Sequence, residues 1–301
     1  MDVNRELSDF LRRARSQVDP ERAGLPADGR VRRVPGLRRE EVALLARVST
    51  DYYTRLEQGR RIVPSPGVVD AIATALRLDE AGRRHLSHLI GTGPRPARRR
   101  PARAQSARRG LHQLLESLDG VPAMLLGRRT DVLATNRLAR ALLADFDAMP
   151  ATARNYARWM FLDPLAHERL VDWDTQARTV VENLRLEAGR DPDDPATQAL
   201  VGALTIASPE FARWWEEHRV HQRTFGDKHF RHPVVGELTL QYETLTMPGD
   251  PDQALFLFTA EAGSPSRQAL DLLASWTLDG PARARDERPT QTRSGPSGAK
   301  A

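Results

Sequence analysis

Apolar residues recur at helical spacing through the first ninety residues. Leu7, Phe10, Leu11 and Ala14 fall on one face of a first helix, Val42 to Ala46 mark a second, and Thr50 to Gln58 a third. Val68 to Leu76 predict a fourth, and Leu86, Leu89 and Ile90 a fifth. The stretch from Asp19 to Gly36, with three glycines and three prolines, predicts a loop between the first two. Beyond residue 110 the pattern mixes periods. Leu238, Leu240 and Tyr242 alternate with Glu237, Thr239, Gln241 and Glu243, as in a strand with one buried face, and Ala254 to Phe258 is continuously apolar, as in a central strand. Pro122 to Gly127 and Asp131 to Ala134 predict a hairpin around Arg128, Arg129 and Thr130. Trp173, Ala177, Val180, Val181, Leu184 and Ala188 sit at helical spacing. Asp194-Pro195, Ser208-Pro209 and Ser264-Pro265 each pair an N-cap with proline at the first helical position. The expectation is an all-α N-terminal domain of about five helices followed by an α+β domain.

Length supports that division, since 301 residues exceed what one core usually organises. Residues 92–110 hold seven arginines, three prolines and no acid, and read as a basic flexible linker between domains at 1–91 and 111–277. Residues 278–301, rich in Pro, Gly, Ser, Thr and Arg, predict a disordered tail. There is no cysteine, which removes disulfides, thiolate metal sites and cysteine nucleophiles and suits a reducing compartment. The N-terminus lacks the pattern of a signal peptide and no apolar run is long enough for a membrane span, so a cytoplasmic protein without membrane contact is expected. Arginine supplies 43 of the 45 basic residues, with lysine only at positions 228 and 300. Charge is unevenly spread: +11 over residues 1–110 and −8 over 111–277. That asymmetry points the front half at a polyanion, nucleic acid first.

The most specific motif is Arg39 to Leu56, REEVALLARVSTDYYTRL. Val42, Ala43, Ala46, Val48, Tyr53 and Leu56 occupy the positions that must be small or apolar for two helices to cross through a tight turn, and Ser49 is placed to cap the second. The segment resembles the XRE type of helix-turn-helix, the phage repressor and Cro class, over roughly residues 4 to 90. That family usually has glycine at the turn, where this chain has Arg47, so a left-handed turn predicts some strain. The resemblance implies that the helix following Ser49 enters the major groove of double-stranded operator DNA, one helix from each subunit of a dimer. Tyr53 and Leu56 then face inward, and Thr50, Asp51, Thr54 and Arg55 face bases and phosphates. Arg55 suits a bidentate contact to guanine, or else phosphate or solvent; Asp51 suits a cytosine amine, or serves to repel phosphate. Arg39, Arg60 and Arg61 suit phosphate. Glu57 reads as structural, paired with an arginine of the first helix such as Arg15.

In the C-terminal half, PAMLLGRRTDVLATNRLARALL, NYARWMFLDP, SPEFARWWEEH and FRHPVVGELTLQYETLTMPGDPDQ resemble the MmyB-like regulators. With the N-terminal motif, the resemblance covers about nine-tenths of the chain. It implies a PAS-like domain that binds a small, fairly apolar molecule of the fatty-acid kind. Trp159, Phe161, Trp214, Trp215, Phe225 and Tyr242 are candidates to line its pocket, with ordinary core as the bland reading. Arg231 and His232 are candidates to hold a ligand carboxylate, a satisfied structural histidine being the alternative. A rival reading takes the two H-x-x-H pairs, His218/His221 and His229/His232, as ligands of a metal-responsive regulator, and a third makes the chain a protein-interaction module. No hydrolase, phosphate-loop or HExxH motif is present, and neither an enzyme nor a cofactor is expected.

Overall fold

The computed structural model describes residues 3–25, 36–60, 62–91, 105–221, 223–247 and 249–279. Expectations for the loop at 26–35, for Arg61, for the linker at 92–104 and for the tail from 280 lie outside them.

Five helices make the N-terminal unit: α1 (Val3–Gln17), α2 (Arg39–Leu45), α3 (Thr50–Glu57), α4 (Pro66–Ala75) and α5 (Glu80–Ile90). Their starts follow local chemistry. Ser49 Oγ accepts the Tyr52 N–H at 3.1 Å, Asp79 accepts the Gly82 N–H at 2.7 Å, and Pro66 opens α4. Gly91 ends α5 at φ 77°, a left-handed cap. Leu7, Phe10 and Leu11 of α1, Val42 of α2, Tyr53 and Leu56 of α3, Ile72 of α4 and Leu86 of α5 close into one core. Between α2 and α3 the chain turns at Arg47, whose φ is 54°. The residue where this chain departs from glycine is therefore the one held in the left-handed region.

The C-terminal unit begins with α6 (Arg109–Ser117), so the stretch that composition marks as linker is already ordered at its end. Gln105 Oε1 accepts the Arg128 N–H at 2.9 Å and Arg108 pairs with Asp250 at 3.0 Å. Next come β1 (Ala123–Leu126), β2 (Val132–Thr135), α7 (Arg137–Leu142), a 3-10 turn at Phe146–Ala148, α8 (Tyr156–Leu162), α9 (Pro164–Arg169), α10 (Trp173–Arg190), α11 (Pro195–Ala207) and α12 (Pro209–Glu216). The chain then returns as β3 (Phe225–His232), β4 (Gly236–Met247) and β5 (Asp250–Thr259), and α13 (Pro265–Asp279) runs two residues into the segment expected to be tail. The sheet is antiparallel in the order β2-β1-β5-β4-β3, which makes the apolar β5 central and β3 an edge. The hairpin, both sheet assignments and the three capped prolines stand where the sequence predicts them.

β3 went unpredicted for a physical reason. Its inward positions, in register with the buried face of β4, are Lys228, Phe230 and His232, so two of its three core-facing side chains are polar and the alternation does not register as hydrophobic. One face of the sheet is covered by α6 through Leu111 and Leu115. The other lies against the helical layer, where Trp159, Phe161, Trp173, Trp214 and Phe211 pack with Leu238, Leu240 and Phe258. The result is an α+β domain. No described helix is long and apolar enough to cross a membrane.

Candidate functional site

On α3, Tyr53, Leu56 and Glu57 are buried, Thr50, Asp51 and Arg55 are exposed and Thr54 is half-buried. One face is thus spent on the core and the other is left free. Asp51 and Arg55 pair across one turn at 2.9 Å, both in solvent, so the guanidinium stands pre-extended along the exposed face by a contact of little intrinsic strength. Behind the helix lies its anchor. Glu57 takes Arg15 through both carboxylate oxygens, at 2.8 and 3.2 Å, and Arg39 Nε at 2.8 Å, while Arg15 also donates to the Leu37 carbonyl at 2.7 Å. Burial raises the Glu57 pKa, but the Arg15 hydrogen bonds and charge, with those of Arg39, outweigh it and hold the carboxyl below its ordinary value. Glu57 is therefore structural, with Arg15 as its partner. Arg39 is tied to it yet 42% exposed, which fixes the side chain beside α3. Ser49 and Arg60 are exposed at the two ends of the helix, and Arg61 lies outside the described residues.

The C-terminal candidates divide. Trp159, Phe161, Trp214 and Trp215 are buried in one aromatic cluster: Phe161 meets Trp173, Phe211 and Trp214 edge-on with centroids 5.1 to 6.2 Å apart. Phe225 does not join it. It begins the edge strand on the outward side and is 68% exposed. Arg231 also points outward, to Glu237 at 3.2 Å, because it alternates with the inward pair Phe230 and His232. His232 is buried, with Nε2 3.0 Å from the Ala141 carbonyl and Nδ1 accepting the Val234 N–H at 3.3 Å. Burial first, then the charge of Arg169, lowers its pKa. A ring with both nitrogens engaged and a depressed pKa does not hold a carboxylate, so Arg231 and His232 are corrected to surface and structural roles.

The four histidines also separate. His218 reaches Arg185 and Glu6, His221 reaches Asp79, His229 reaches Thr239, and His232 reaches Ala141. Among the described residues no three His, Cys, Asp or Glu side chains are grouped to hold a metal ion.

Tyr242 is buried beside a residue that pattern reading passed over. Lys228 is 7% exposed; its Nζ donates to Tyr156 Oη at 3.1 Å and stands 5.3, 5.2 and 5.7 Å from the ring centres of Tyr156, Tyr242 and Phe258. The signal was present in composition, since this is one of two lysines in an arginine-rich chain.

The two units meet at a buried joint. Arg185 of α10 is fully buried and donates to the Glu6 carboxylate of α1 and to the Trp215 carbonyl, with its guanidinium 4.1 Å over the Trp215 ring. His218 Nδ1 lies 2.9 Å from Arg185 Nη1 and 3.3 Å from Glu6. Burial raises the Glu6 pKa, but the His218 hydrogen bond and the Arg185 charge reverse this and bring it down to about 2. Next to them His85 of α5 is fully buried, edge-on to Phe10 at 5.0 Å, with neither ring nitrogen bonded; burial brings its pKa down to about 3. Beside this joint an open cleft of about 490 Å³ runs between the units, past Arg13, Arg77 and Glu182.

A helical unit that presents one capped, anchored helix to solvent, joined through buried contacts to an α+β domain with a large aromatic interior, is the plan of a ligand-regulated DNA-binding transcription regulator. Comparison with known families agrees. Residues 6–86 match the helix-turn-helix domain, and residues 107–273, more than half of the chain, match the MmyB-like transcription regulator ligand binding domain. The chain belongs to the MmyB-like transcription regulators. A comparison with curated proteins finds no match.

Proposed function

We propose that this regulator is of the XRE type, acts in the cytoplasm as a homodimer, and binds a partly palindromic operator through α3 of each subunit. The observation that carries the reading is the division of α3: Tyr53, Leu56 and Glu57 lock it from behind, while Thr50, Asp51 and Arg55 are exposed in front with Thr54 half-buried among them. The +11 charge of the first 110 residues supports a polyanionic partner over a protein-docking role. Arg55 reads a guanine after leaving Asp51; Arg39 and Arg60, with Arg61 beyond the described residues, hold phosphate.

The C-terminal domain, PAS-like on this reading, takes a small apolar ligand of the fatty-acid kind within its aromatic interior, where Trp159, Phe161, Trp214 and Tyr242 lie. It acts by binding rather than catalysis. Ligand binding reaches the DNA-binding unit through α10, which carries Arg185 and Gly189 against Glu6 and His85. The four separated histidines do not favour the metal-responsive alternative.

The test is selection from random-sequence DNA with wild type and Arg55→Ala at two salt concentrations. An inverted-repeat motif that loses preference at one guanine in Arg55→Ala supports the reading. Weak, salt-sensitive binding without any enriched motif overturns it.

A further inference from the structure

We infer that the cleft between α6, the edge strand β2 and α7 is a separate ligand site, and that it takes the phosphate monoester of a small organic molecule. The inference does not depend on a ligand in the aromatic interior.

The cleft measures about 400 Å³ and is lined by α6, β2 and α7, with Asp147 and Arg154 beyond them. Its α6 wall lies on the opposite face of the sheet from Trp159 and Phe161, since Leu115 packs there with Leu125 and Leu255. Asn136 makes the corner rigid. It is buried, its Oδ1 accepts the Ala123 and Ala139 N–H groups at 3.0 and 2.9 Å, and its Nδ2 donates to the Leu118 and Val121 carbonyls at 2.8 and 2.7 Å. One side chain thus ties the end of α6 and the start of α7 to β1, and a wall fixed in advance loses little freedom when a ligand binds.

Three guanidinium groups line this cleft, in a stretch of chain whose net charge is −8. Main-chain carbonyls aim two of them: Arg140 donates to Thr135 at 2.9 Å, and Arg154 to Met149 and Asp147, both at 2.8 Å. The third, Arg137, has its Nε–H buried without a partner. A buried donor left unbonded is costly, and an acceptor supplied by a ligand removes that cost.

The carboxylates nearby do not neutralise the three. Asp147 pairs with Arg140 at 3.0 Å with half of its side chain in solvent, Asp119 comes only within 3.9 Å of Arg137 and is 85% exposed, and Glu116 is exposed on α6. Among the described residues Arg154 bonds only to carbonyls. Exposed acids of this kind hold a cation weakly and yield to a stronger anion.

The chemistry of that anion follows from the forks. A guanidinium bonds two oxygens at once, and a phosphate monoester, with three free oxygens and about two negative charges at neutral pH, can meet more than one fork where a single carboxylate cannot. Leu115, Leu118, Leu133 and Leu138 also line the cleft, which suits a phosphate carried on an apolar body, and the volume falls among those of small-molecule sites, about 300–1,000 Å³.

The experiment titrates the full-length protein by calorimetry with phenyl phosphate, inorganic phosphate and phenol. Phenyl phosphate is expected to bind at least about tenfold more tightly than either of the others, and its phosphorus NMR signal to shift when wild type is added. Arg137→Gln, which leaves Asn136 in place, is expected to lose at least about tenfold in affinity for phenyl phosphate, and Arg137→Lys to fall between it and wild type. Arg231→Gln, on the outer face of β3, is expected to bind as wild type does. Far-UV circular dichroism checks that each variant is folded. Equal affinity for phenyl phosphate and inorganic phosphate overturns the organic ligand, equal affinity for phenyl phosphate and phenol overturns the anion site, and unchanged affinity in Arg137→Gln overturns the role of the arginines. Binding of none of the probes overturns the whole inference and leaves the reading of an apolar ligand in the interior intact.

Discussion

The α carbon of Gly189 faces the imidazole of His85 so closely that a methyl group built there stands 2.4 Å from two ring atoms. Helix α10 of the ligand-binding domain therefore meets α5 of the DNA-binding unit through bare backbone. His85 is fully buried and cannot swing aside. Gly189→Ala is expected to lower stability by about 1–3 kcal/mol through overpacking, against the gain of about 1 kcal/mol that alanine brings to a helix. Thermal melting checks this, and a melting temperature equal to or above wild type would show that the joint yields.

Acid is expected to weaken the same joint. His85 has its pKa lowered to about 3 by burial, so between pH 6.5 and 3 the unfolded chain binds a proton that the folded chain excludes. Stability is full above pH 6.5 and falls as the pH drops, by about 1.4 kcal/mol for each unit below 6.5. Glu6, lowered to about 2, acts in the same direction between pH 4.5 and 2. The Glu6 charge favours a charged His85 imidazole and those of Arg185, His88 and His218 disfavour it, but burial is the largest effect and sets the direction. Melting curves of wild type and His85→Phe at pH 7.5 and 5.5 separate the contributions: the variant should lose most of the difference between the two pH values. An equal acid shift in both proteins would place its origin elsewhere.

Glu57→Gln is expected to destabilise the N-terminal unit by about 3 kcal/mol, because it removes the charge that Arg15 and Arg39 share and leaves the first of these buried. Urea denaturation followed by far-UV circular dichroism measures it. DNA binding should weaken in parallel, since α3 loses its rear anchor. Retention of wild-type stability would mean that the packing of Tyr53 and Leu56 suffices.

Arg47→Gly tests the turn between α2 and α3. Arg47 is exposed and left-handed at φ 54°, a conformation that costs a residue with a Cβ about 1 kcal/mol. The substitution should stabilise the unit by about that amount without altering operator preference. A stability decrease would show that glycine's freedom in the unfolded chain outweighs the relief.

Much of the fold was legible because it rests on local chemistry. The helical face of Leu7, Phe10 and Leu11, the Ser49 cap and the proline-led helices after Asp194 and Ser208 need only neighbours a few residues away. The role of Glu57 was also readable, since a carboxylate on the helix proposed to meet DNA calls for a partner behind it. The ligand-site candidates fared less well. Phe225 and Arg231 suggested a pocket by residue type, but the phase of β3 turns both outward, and a strand with polar inward positions hides that phase.

The sequence by itself determined the two-domain plan, the helix-turn-helix, the α+β character of the second domain and the uneven charge, because periodicity, capping and composition are properties of short stretches and simple sums. Tertiary structure decided what becomes of the polar residues in the interior. Lys228, Tyr156, Tyr242 and Phe258 come from three strands and a helix, and Glu6, His85, Arg185 and His218 from both domains; nothing in their spacing along the chain brings them together. Burial sets their chemistry, and burial is created only when distant segments exclude water from the same place.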